Sequence, residues 1–428
     1  MHVSLDSALG RQRRLNSVGE SVLQIAPNAA AAYSLRSLTG GDPKVVRVRR
    51  GSDNAESDFT ASEVSSGALT SFVNEDVTIY QSDYSADANG WSGSTSLPTG
   101  NHDGVSDSAG TSKDNVLKLV KQTDNQGFMQ RTQGVAIGCN YTVSGSFLAP
   151  ASNTAVDGIL VKDGVAGSSL SNYPSGYLIS DGTWTDFSFS YTATVKGLQR
   201  INMGISSLGS NPNSSSTGST GDIVYIADLK FVETTSNGFV ETWYDQSGNS
   251  KDAVQLTAAE QPKIVSAGAL LADGLTFDGS DDSMTTTSAI SSTNIAIACV
   301  SKSANNATAG IFSMLDGFND GHEALYLAGE IRIASNSSDL DVSITTTNQN
   351  LYFANYDGST QSLSSNGGTP STKSTSQTIS VSAVAQIGSR SGGNKLNGSI
   401  EELIVYASDQ SANRAALETN ILSHYGIS

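Results

Sequence analysis

The sequence predicts an all-β protein built from many short strands joined by polar turns. Short alternations of apolar and polar residues recur along the chain, most clearly in "FSFSYT" at residues 187–192, and this is the period of a half-buried strand. The segments between these alternations are rich in Gly, Asn, Asp and Ser, and 42 of the 428 residues are Gly. A chain of this length is expected to form two or three domains.

Composition and charge exclude several classes of function. The net charge is −17 and the pI is about 4.5, so the phosphates of nucleic acids would repel the chain. No apolar run is long enough to span a membrane, and the N-terminal residues lack the apolar segment of a secretory signal. Cys139 and Cys299 lie far apart, which argues against a disulfide framework, and the four His residues lack the spacing of zinc ligands.

The first part of the chain is predicted to form an extension, a short helix and a strand. Residues 1–26 form the extension, and its local basic cluster (Arg11, Arg13, Arg14) is either a solvated arm or a segment that docks on an acidic partner surface. "PNAAAAYSLRSL", at 27–38, predicts a short helix because Pro27 suits a first turn and Leu35 lies four residues after Ala31. "KVVRVRR", at 44–50, predicts a strand.

The pattern of predicted strands changes at about residue 77, and the earlier pattern resumes at Gly238. Between these points, strands are predicted at "NVLKLVKQ", "NYTVSGSFLA", "WTDFSFSYTATV" and "DIVYIADLKFVE", with a low-complexity loop at "GSNPNSSSTGSTG". After Gly238 a further series of strands leads to a C-terminal helix. Ser411 is its predicted N-cap, Leu417 and Ile421 share its apolar face, and Gly426 ends it.

Five motifs together resemble a laminin-G-like, concanavalin A-type sandwich that is common in bacteriophage virion proteins, especially tail fibres. They are "RVRRGSDNAESDF", "WYDQSGNSKDA", "QPKIV", "LTFDGSDDSM" and "LNGSIEELIVYASDQSANRAALETNILSHYGI". The first two are also similar to the catalytic domain of the arabinofuranosidase B family. In such relatives the "SFV" region runs within a few residues into "GFVxTWYDQSG", whereas here the whole 77–237 block separates the two.

The resemblance implies an interrupted domain. Residues 27–76 and 238–428 would form the laminin-G-like sandwich, and residues 77–237 would form an inserted jelly roll. The last strands of the insert, "GTWTDFSFSYTA" and "DIVYIADLKFVE", resemble those of carbohydrate-binding modules.

Candidate glycan-binding residues are exposed aromatic and amide side chains. Sugar rings pack their C–H faces on flat aromatic surfaces, and their hydroxyl groups need polar partners. "SNYPSGY" is predicted to be an exposed loop, so Asn172, Tyr173 and Tyr177 are candidates, together with Trp91. Two other tryptophans, Trp184 and Trp243, are expected to pack in the core.

Carboxylates at two places in the chain could bind a metal ion. The resemblance to carbohydrate-binding jelly rolls implies that Asp228, in the last strand of the insert, is a ligand of a structural calcium ion. Asp278, Asp281 and Asp282 in "FDGSDD" form either a calcium site or a hydrogen-bonded turn, and the turn is favoured because the ligand spacing of an EF-hand loop is missing. No other cofactor is expected.

The turn "YDQSGN" at 244–249 could also hold a ligand, but a structural role is favoured. Asp245 is expected to cap the turn, and Gly248 is expected to supply a positive φ.

The resemblance implies a bacteriophage virion surface protein, of the tail-fibre or capsid-decoration type, that binds host-surface glycans during adsorption. Residues 1–26 would anchor it to other virion proteins, homo-oligomers are conceivable, and the protein would be made in the host cytoplasm. One alternative is a purely structural cement or spacer. Another is a glycoside hydrolase of the arabinofuranosidase type, but no run matches that family's catalytic carboxylates, so no catalytic residue is assigned and enzyme activity is not expected.

Overall fold

The chain folds into two compact units that are both built from β-strands. The computed structural model describes residues 20–83, 92–93, 101–102, 113, 116–120, 128–153, 158–165, 171–179, 182–193, 197–206, 223–305, 307–316, 321–335, 338–375 and 379–428. The outer unit contains residues up to 73 and from 237 onward, and the inserted unit contains residues 74–236. The predicted all-β fold with short helices is confirmed.

The described helices are few and short. They are α1 (Val22–Ile25), α2 (Ala61–Ser66), α3 (Ala68–Val73) and α4 (Arg414–Tyr425), with a single 3-10 turn at Ala258–Glu260. Within the described residues, none of these helices has the length and apolar character needed to cross a lipid bilayer.

The strands follow in chain order. The outer unit begins with β1 (Ala31–Ser34), β2 (Lys44–Arg50) and β3 (Glu56–Thr60). The inserted unit contains β4 (Val77–Gln81), β5 (Ser92–Gly93), β6 (Asn101–His102), β7 (Leu117–Val120), β8 (Phe128–Val135), β9 (Asn140–Leu148), β10 (Gly158–Val165), β11 (Ser171–Ile179), β12 (Thr185–Thr192), β13 (Gly197–Ser206) and β14 (Ile223–Glu233).

The outer unit then resumes. Its remaining strands are β15 (Gly238–Trp243), β16 (Ala253–Val254), β17 (Lys263–Ser266), β18 (Ala269–Leu270), β19 (Leu275–Asp278), β20 (Met284–Thr286), β21 (Ile290–Ser292), β22 (Ile295–Ser303), β23 (Ala309–Leu315), β24 (Gly321–Leu327), β25 (Glu330–Ser335), β26 (Ser338–Ser343), β27 (Asn350–Tyr356), β28 (Thr360–Ser365), β29 (Ser371–Ser374), β30 (Val381–Ala383), β31 (Gln386–Ile387) and β32 (Asn397–Tyr406).

The outer unit is a sandwich of two antiparallel layers. In the first layer, β1 and β19 pair with successive stretches of β32, and β22, β27, β28 and β29 follow β32 in that order. In the second layer, β3, β2 and β15 lead through β16, β20 and β31 to β23, β24, β25 and β26. The pairing of β17 with β15 and β19 connects the two layers.

Apolar side chains fill the space between the two layers. Trp243, Tyr33 and Phe277 are among the largest fully buried residues of this core. A buried polar contact also joins the layers, because the Tyr326 hydroxyl lies 2.8 Å from Ser301 Oγ and accepts a hydrogen bond of 3.1 Å from the hydroxyl of Tyr352. Buried polar groups need such partners, so this contact fixes how the layers align.

A second apolar cluster lies on the other face of the first layer, beneath α1 and α4. Along β22, Ile297 and Cys299 face the sandwich core, whereas Ala298 and Val300 face the helices. The strand is therefore buried on both faces, which explains why "IAIACV" is a continuous apolar run instead of an alternation.

The C-terminal helix follows the prediction except at its start. Leu417 and Ile421 are buried, and Gly426 ends α4 with a φ of 66°. The N-cap is Asn413 and not Ser411, because the backbone N–H and hydroxyl of Ser411 are held by the Asp409 side chain at 2.9 and 3.1 Å.

A buried ion pair lies beside the C-terminal helix. Arg36 donates two hydrogen bonds, of 2.7 and 2.9 Å, to the fully buried carboxylate of Glu402 on β32. The Tyr425 hydroxyl of α4 donates a third, of 3.0 Å. Removing one partner of such a pair leaves a buried charge, so these residues tie α4 and the N-terminal segment to the sheet.

The predicted helix at residues 27–38 is wrong. Ala31–Ser34 form β1, which pairs with β32 in the register Ala31↔Val405 to Ser34↔Glu402. Tyr33 faces the sandwich core and Ala32 faces the helix cluster, so burial on two faces outweighs the helical propensity of alanine. The short helix lies earlier, at Val22–Ile25.

Two helices, α2 and α3, lie in a stretch for which the sequence analysis predicts no element. A capping box marks the start of α2, in which Glu63 N–H donates to Thr60 Oγ1 (3.3 Å) and Thr60 N–H donates to Glu63 Oε2 (2.8 Å). The Thr-x-x-Glu spacing at 60–63 is readable in the sequence and could have predicted this start.

The inserted unit is a second β-sandwich. One sheet has five strands in the order β11-β10-β13-β8-β5, and the other has the order β12-β9-β14-β7-β6, with β4 paired to β14. Its core contains a stack of Tyr141 and Phe231, with ring centroids 5.4 Å apart. The two ends of the unit are neighbours, since Val77 pairs with Glu233.

The two cysteines lie in different units, and the low-complexity run lies outside the described residues. Cys139 belongs to the inserted unit and Cys299 to the outer unit, and both are buried and form no disulfide with each other. The low-complexity run at 209–221 lies outside the described residues.

The chain leaves and re-enters the outer unit at one point. Strand β15 pairs with β2, and a Cβ placed on Gly238, the first residue of β15, would lie 2.9 Å from Val73 Cγ2, at the end of α3. It would also lie 3.2 Å from Val48 Cγ1 and Val265 Cβ. Glycine is therefore required here by packing, because no side chain fits between these valines.

We expect Gly238→Ala to destabilise the outer unit by about 1–3 kcal/mol, because the added methyl group overpacks a filled core. Urea unfolding of the full chain measures the change. Gly41→Ala is the matched control, since a Cβ there would meet only Thr39 Oγ1 at 3.8 Å, and its effect should stay within about 0.5 kcal/mol. Equal stability of the two variants would contradict the packing argument.

Candidate functional site

Three of the predicted glycan-binding residues lie on a strand and not on a loop. Asn172, Tyr173 and Tyr177 belong to β11, where Asn172 pairs with Lys162 and Tyr173 with Val161. The loop prediction rested on Pro and Gly, but β11 is the edge strand of its sheet and its register shifts between Ile159 and Val161, and edges and irregular pairing tolerate both residue types. The fourth residue, Trp91, lies outside the described residues. The binding role of all four stays a prediction.

A different group of side chains comes together on the six-stranded sheet of the inserted unit. We call this group the Trp184 site, and its members are Lys113, Ser146, Trp184, Asp186 and Asp228. Trp184 immediately precedes β12, Asp186 lies on β12 directly opposite Ser146 of β9, and Asp228 lies on β14. Three adjacent strands therefore position Ser146, Asp186 and Asp228, and Trp184 lies just before the start of one of them, whereas Lys113 comes from a separate segment.

Hydrogen bonds connect the polar members of the Trp184 site. The Lys113 ammonium forms an ion pair with Asp228 Oδ2 and donates a hydrogen bond of 3.0 Å to Ser146 Oγ. Ser146 Oγ in turn donates to Asp186 Oδ1 at 2.6 Å. The same ammonium lies 5.4 Å from the centroid of the Trp184 ring. A charge-assisted network of this kind holds its members in fixed positions.

A β-bulge turns Asp228 toward the surface. The register between β14 and β9 shifts between Ala227 and Lys230, and Asp228 has a φ of 53°. Leu229 returns to the core, whereas the Asp228 side chain is 60% exposed. Bulges re-aim side chains, and Asp is one of the few residues that tolerate the left-handed region.

Trp184 is only partly buried, although the sequence predicted a core position. Its ring packs against a buried apolar cluster formed by Val116, Leu148, Tyr225 and Ala227. Trp243, the other tryptophan with a predicted core position, is fully buried as expected. The surface thus combines an anchored aromatic ring with an ammonium, two carboxylates and a hydroxyl group. These are the chemical groups that a sugar ring and its hydroxyls require.

The sequence could single out one member of this site but not the site. Asp228 is the residue for which the resemblance implies calcium binding, and the structure places the Lys113 ammonium on its carboxylate. The calcium role stays a prediction. Lys113 is 115 positions away along the chain, so no local pattern connects the two residues.

The second candidate is a metal centre after β19, formed by Asp278, Asp281 and Asp282. Their carboxylate oxygens lie within 4.8 Å of one another. The turn that the sequence favours is present, because Asp278 N–H donates to Asp282 Oδ2 (2.9 Å) and Ser280 N–H donates to Asp278 Oδ1 (2.7 Å). Burial, and then the neighbouring Asp278 and Asp281 charges, raise the pKa of Asp282 to about 7. The three carboxylates could bind a divalent cation, which stays a prediction.

The "YDQSGN" turn has the structural role that the sequence favoured. The Asp245 carboxylate accepts hydrogen bonds from three backbone N–H groups, those of Ala32 (2.9 Å), Ser247 (2.9 Å) and Lys251 (3.0 Å). Gly248 has a φ of 86°. Asp245 therefore stabilises the turn and its contact with β1.

Comparisons with known proteins give weak similarities to solved structures. No protein-family profile and no curated protein sequence matches the chain. The chain is similar to the CBM22-1 xylan-binding domain of Paenibacillus barcinonensis Xyn10C, at 9% identity and a TM-score of 0.28, over 37% of this chain and 96% of that one. It is also similar to the tandem CBM22-1-CBM22-2 domain of the same protein, at 9% identity and a TM-score of 0.29. That similarity covers 78% of this chain and 98% of the tandem domain.

A third similar structure is the binding domain of botulinum neurotoxin serotype D, at 13% identity and a TM-score of 0.32, over 42% of this chain and 48% of that one. At these values the similarities assign neither a ligand nor an activity to this chain.

We expect Asp282→Asn to make the stability of the outer unit less dependent on pH. The pKa of Asp282 is raised from 3.8 to about 7, so the folded chain binds more protons than the unfolded chain between about pH 4 and pH 7. Its contribution to the free energy of unfolding therefore falls as pH rises through this window. The variant should gain stability relative to the wild type at pH 8, by a few kcal/mol at most.

Urea unfolding at pH 5 and pH 8 measures this difference, with Asp316→Asn, at an exposed position of the outer unit, as the control. A stability difference between Asp282→Asn and the wild type that is the same at both pH values would contradict the assignment.

Proposed function

We propose that this chain binds glycans and that the Trp184 site of its inserted unit makes the contact. The observation that carries the proposal is the partly exposed indole of Trp184 beside the Lys113 ammonium and the exposed Asp228 carboxylate. The indole offers an apolar surface to sugar C–H groups. The ammonium donates hydrogen bonds to sugar hydroxyls and the carboxylate accepts them.

The proposed binding is weak at each site. The Trp184 site lies on the face of a sheet, and a shallow contact of this type buries little of its ligand. Many copies on one particle would raise the effective affinity, because each bound copy holds the others close to the same surface. The proposal therefore includes display in multiple copies.

The particle in the proposal is a bacteriophage virion. The outer-unit motifs that resemble virion sandwiches support this part, as does the resumption of the interrupted domain at Gly238 beside Val73. The chain would be a tail-fibre or capsid-decoration protein, made in the host cytoplasm and exposed on the virion surface. Other virion proteins would contact it, residues 1–26 would anchor it, and the host-surface glycan would be its ligand during adsorption.

We expect Trp184→Ala to reduce glycan binding by the full chain by at least about tenfold, because loss of an aromatic platform removes most of the apolar contact with a sugar ring. A glycan array followed by titration of the bound glycans measures the loss. Lys44→Ala is the control, since this exposed side chain of the outer unit is remote in sequence from the site and should leave binding unchanged.

The same experiment separates the alternatives when free reducing ends are also followed. Absence of glycan binding by the wild type would overturn the proposal in favour of a structural cement or spacer protein. Release of reducing sugar would instead indicate a glycoside hydrolase. Binding that survives Trp184→Ala would place the glycan elsewhere on the chain.

A further inference from the structure

We infer that the Trp184 site selects uncharged glycans and that the Lys113–Asp228 ion pair sets this selectivity. The inference rests on the proposed function, and it names the class of ligand that the same site takes.

Among the described members of the site, the positive charge is already neutralised and is not free for an acidic sugar. Lys113 is the only basic member of the Trp184 site, and Asp228 and Ser146 already engage its ammonium. Asp186 adds a second carboxylate, linked to the ammonium through Ser146. The site therefore contains two carboxylates and one ammonium, on a chain whose net charge is −17.

Two further lysines lie on the same sheet at the edges of this site. Lys118 is opposite Tyr225, and its ammonium lies 6.0 Å from the centroid of that ring. Lys230 follows the bulge and pairs with Ser144, which precedes Ser146 by two residues on β9. Among the described residues, Lys113 is the one whose ammonium lies over the Trp184 ring, 5.4 Å from its centroid, so it is the ammonium that a sugar on the indole would meet.

A neutral sugar ring matches this arrangement. Of two neighbouring hydroxyl groups, one can donate a hydrogen bond to the Asp228 carboxylate while the other accepts one from the Lys113 ammonium, and the ion pair stays intact. A uronic or sialic acid would bring a third carboxylate next to Asp228 and Asp186. It could bind Lys113 only by displacing Asp228, and like charges in contact oppose binding.

Asp228 is therefore a specificity-determining residue that acts by neutralising Lys113. Replacing its carboxylate with an amide would release the ammonium for an acidic sugar. Asparagine suits the test because it tolerates the φ of 53° at this bulge and has nearly the same size. Lys113→Met is the matched control, since it also breaks the ion pair but leaves no positive charge in the site.

The test uses the full chain and bacterial surface polysaccharides in matched forms. Each acidic polysaccharide is compared with its carboxyl-reduced form, in which every carboxylate has become a hydroxymethyl group, and the array also carries neutral polysaccharides. For the wild type we expect binding of neutral and reduced forms that is at least about tenfold tighter than binding of the native acidic forms.

We compare the affinity for each acidic polysaccharide with the affinity for its carboxyl-reduced form. Asp228→Asn should raise this ratio of affinities by about tenfold, and Lys113→Met should leave it unchanged. A wild type that prefers the acidic forms and loses them with Trp184→Ala would overturn this inference and leave the glycan-binding proposal standing. An unchanged ratio in Asp228→Asn would also overturn it. Binding of no glycan by the wild type would remove the proposed function, and this inference with it.

Discussion

The antiparallel pairing of β2 with β15 is the contact on which the outer unit depends, because it rejoins the two stretches of chain that the insertion separates. Through β15 the pairing reaches β16 and β17, and β17 connects to β19 and so to the other layer. Gly238 makes the junction possible, since its missing side chain lets β15 start against Val73. Any insertion at this point must therefore return its chain to nearly the place where it left.

Much of the outer unit could be predicted from the sequence, because its strands carry local signals. Alternating or continuous apolar runs indicate β22, β27 and β32, and Gly426 indicates the end of α4. The segment at 27–38 could not be predicted in this way. Its alanines favour a helix locally, but β32, more than 360 positions away, provides the hydrogen bonds and both apolar faces that make it a strand. Long-range pairing leaves no trace in a short window of sequence.

The candidate site was less predictable than the fold. Aromatic residues bounded by Pro and Gly suggested a loop at 171–179, where the structure has an edge strand. Conversely, the pattern before β12 suggested a core position for Trp184, which is partly exposed. The site depends on a bulge at Asp228 and on a lysine from a distant segment, and neither follows from residue spacing. Binding surfaces on sheet faces are assembled from single residues of several strands, so only the three-dimensional register brings them together.

The pairing of β1 with β32 also sets an order of events during synthesis. Residues 31–34 are synthesised more than 360 residues before their partners at 402–405. At typical rates of translation this delay is on the order of tens of seconds. The Arg36 partner, Glu402, arrives equally late. The inserted unit is complete earlier, because its first and last strands, β4 and β14, pair with each other. A chain that terminates prematurely would carry a folded insert on an outer unit with an unpaired strand edge and a cation that lacks its partner. An open strand edge promotes aggregation, and incompletely folded chains are substrates of quality-control proteases.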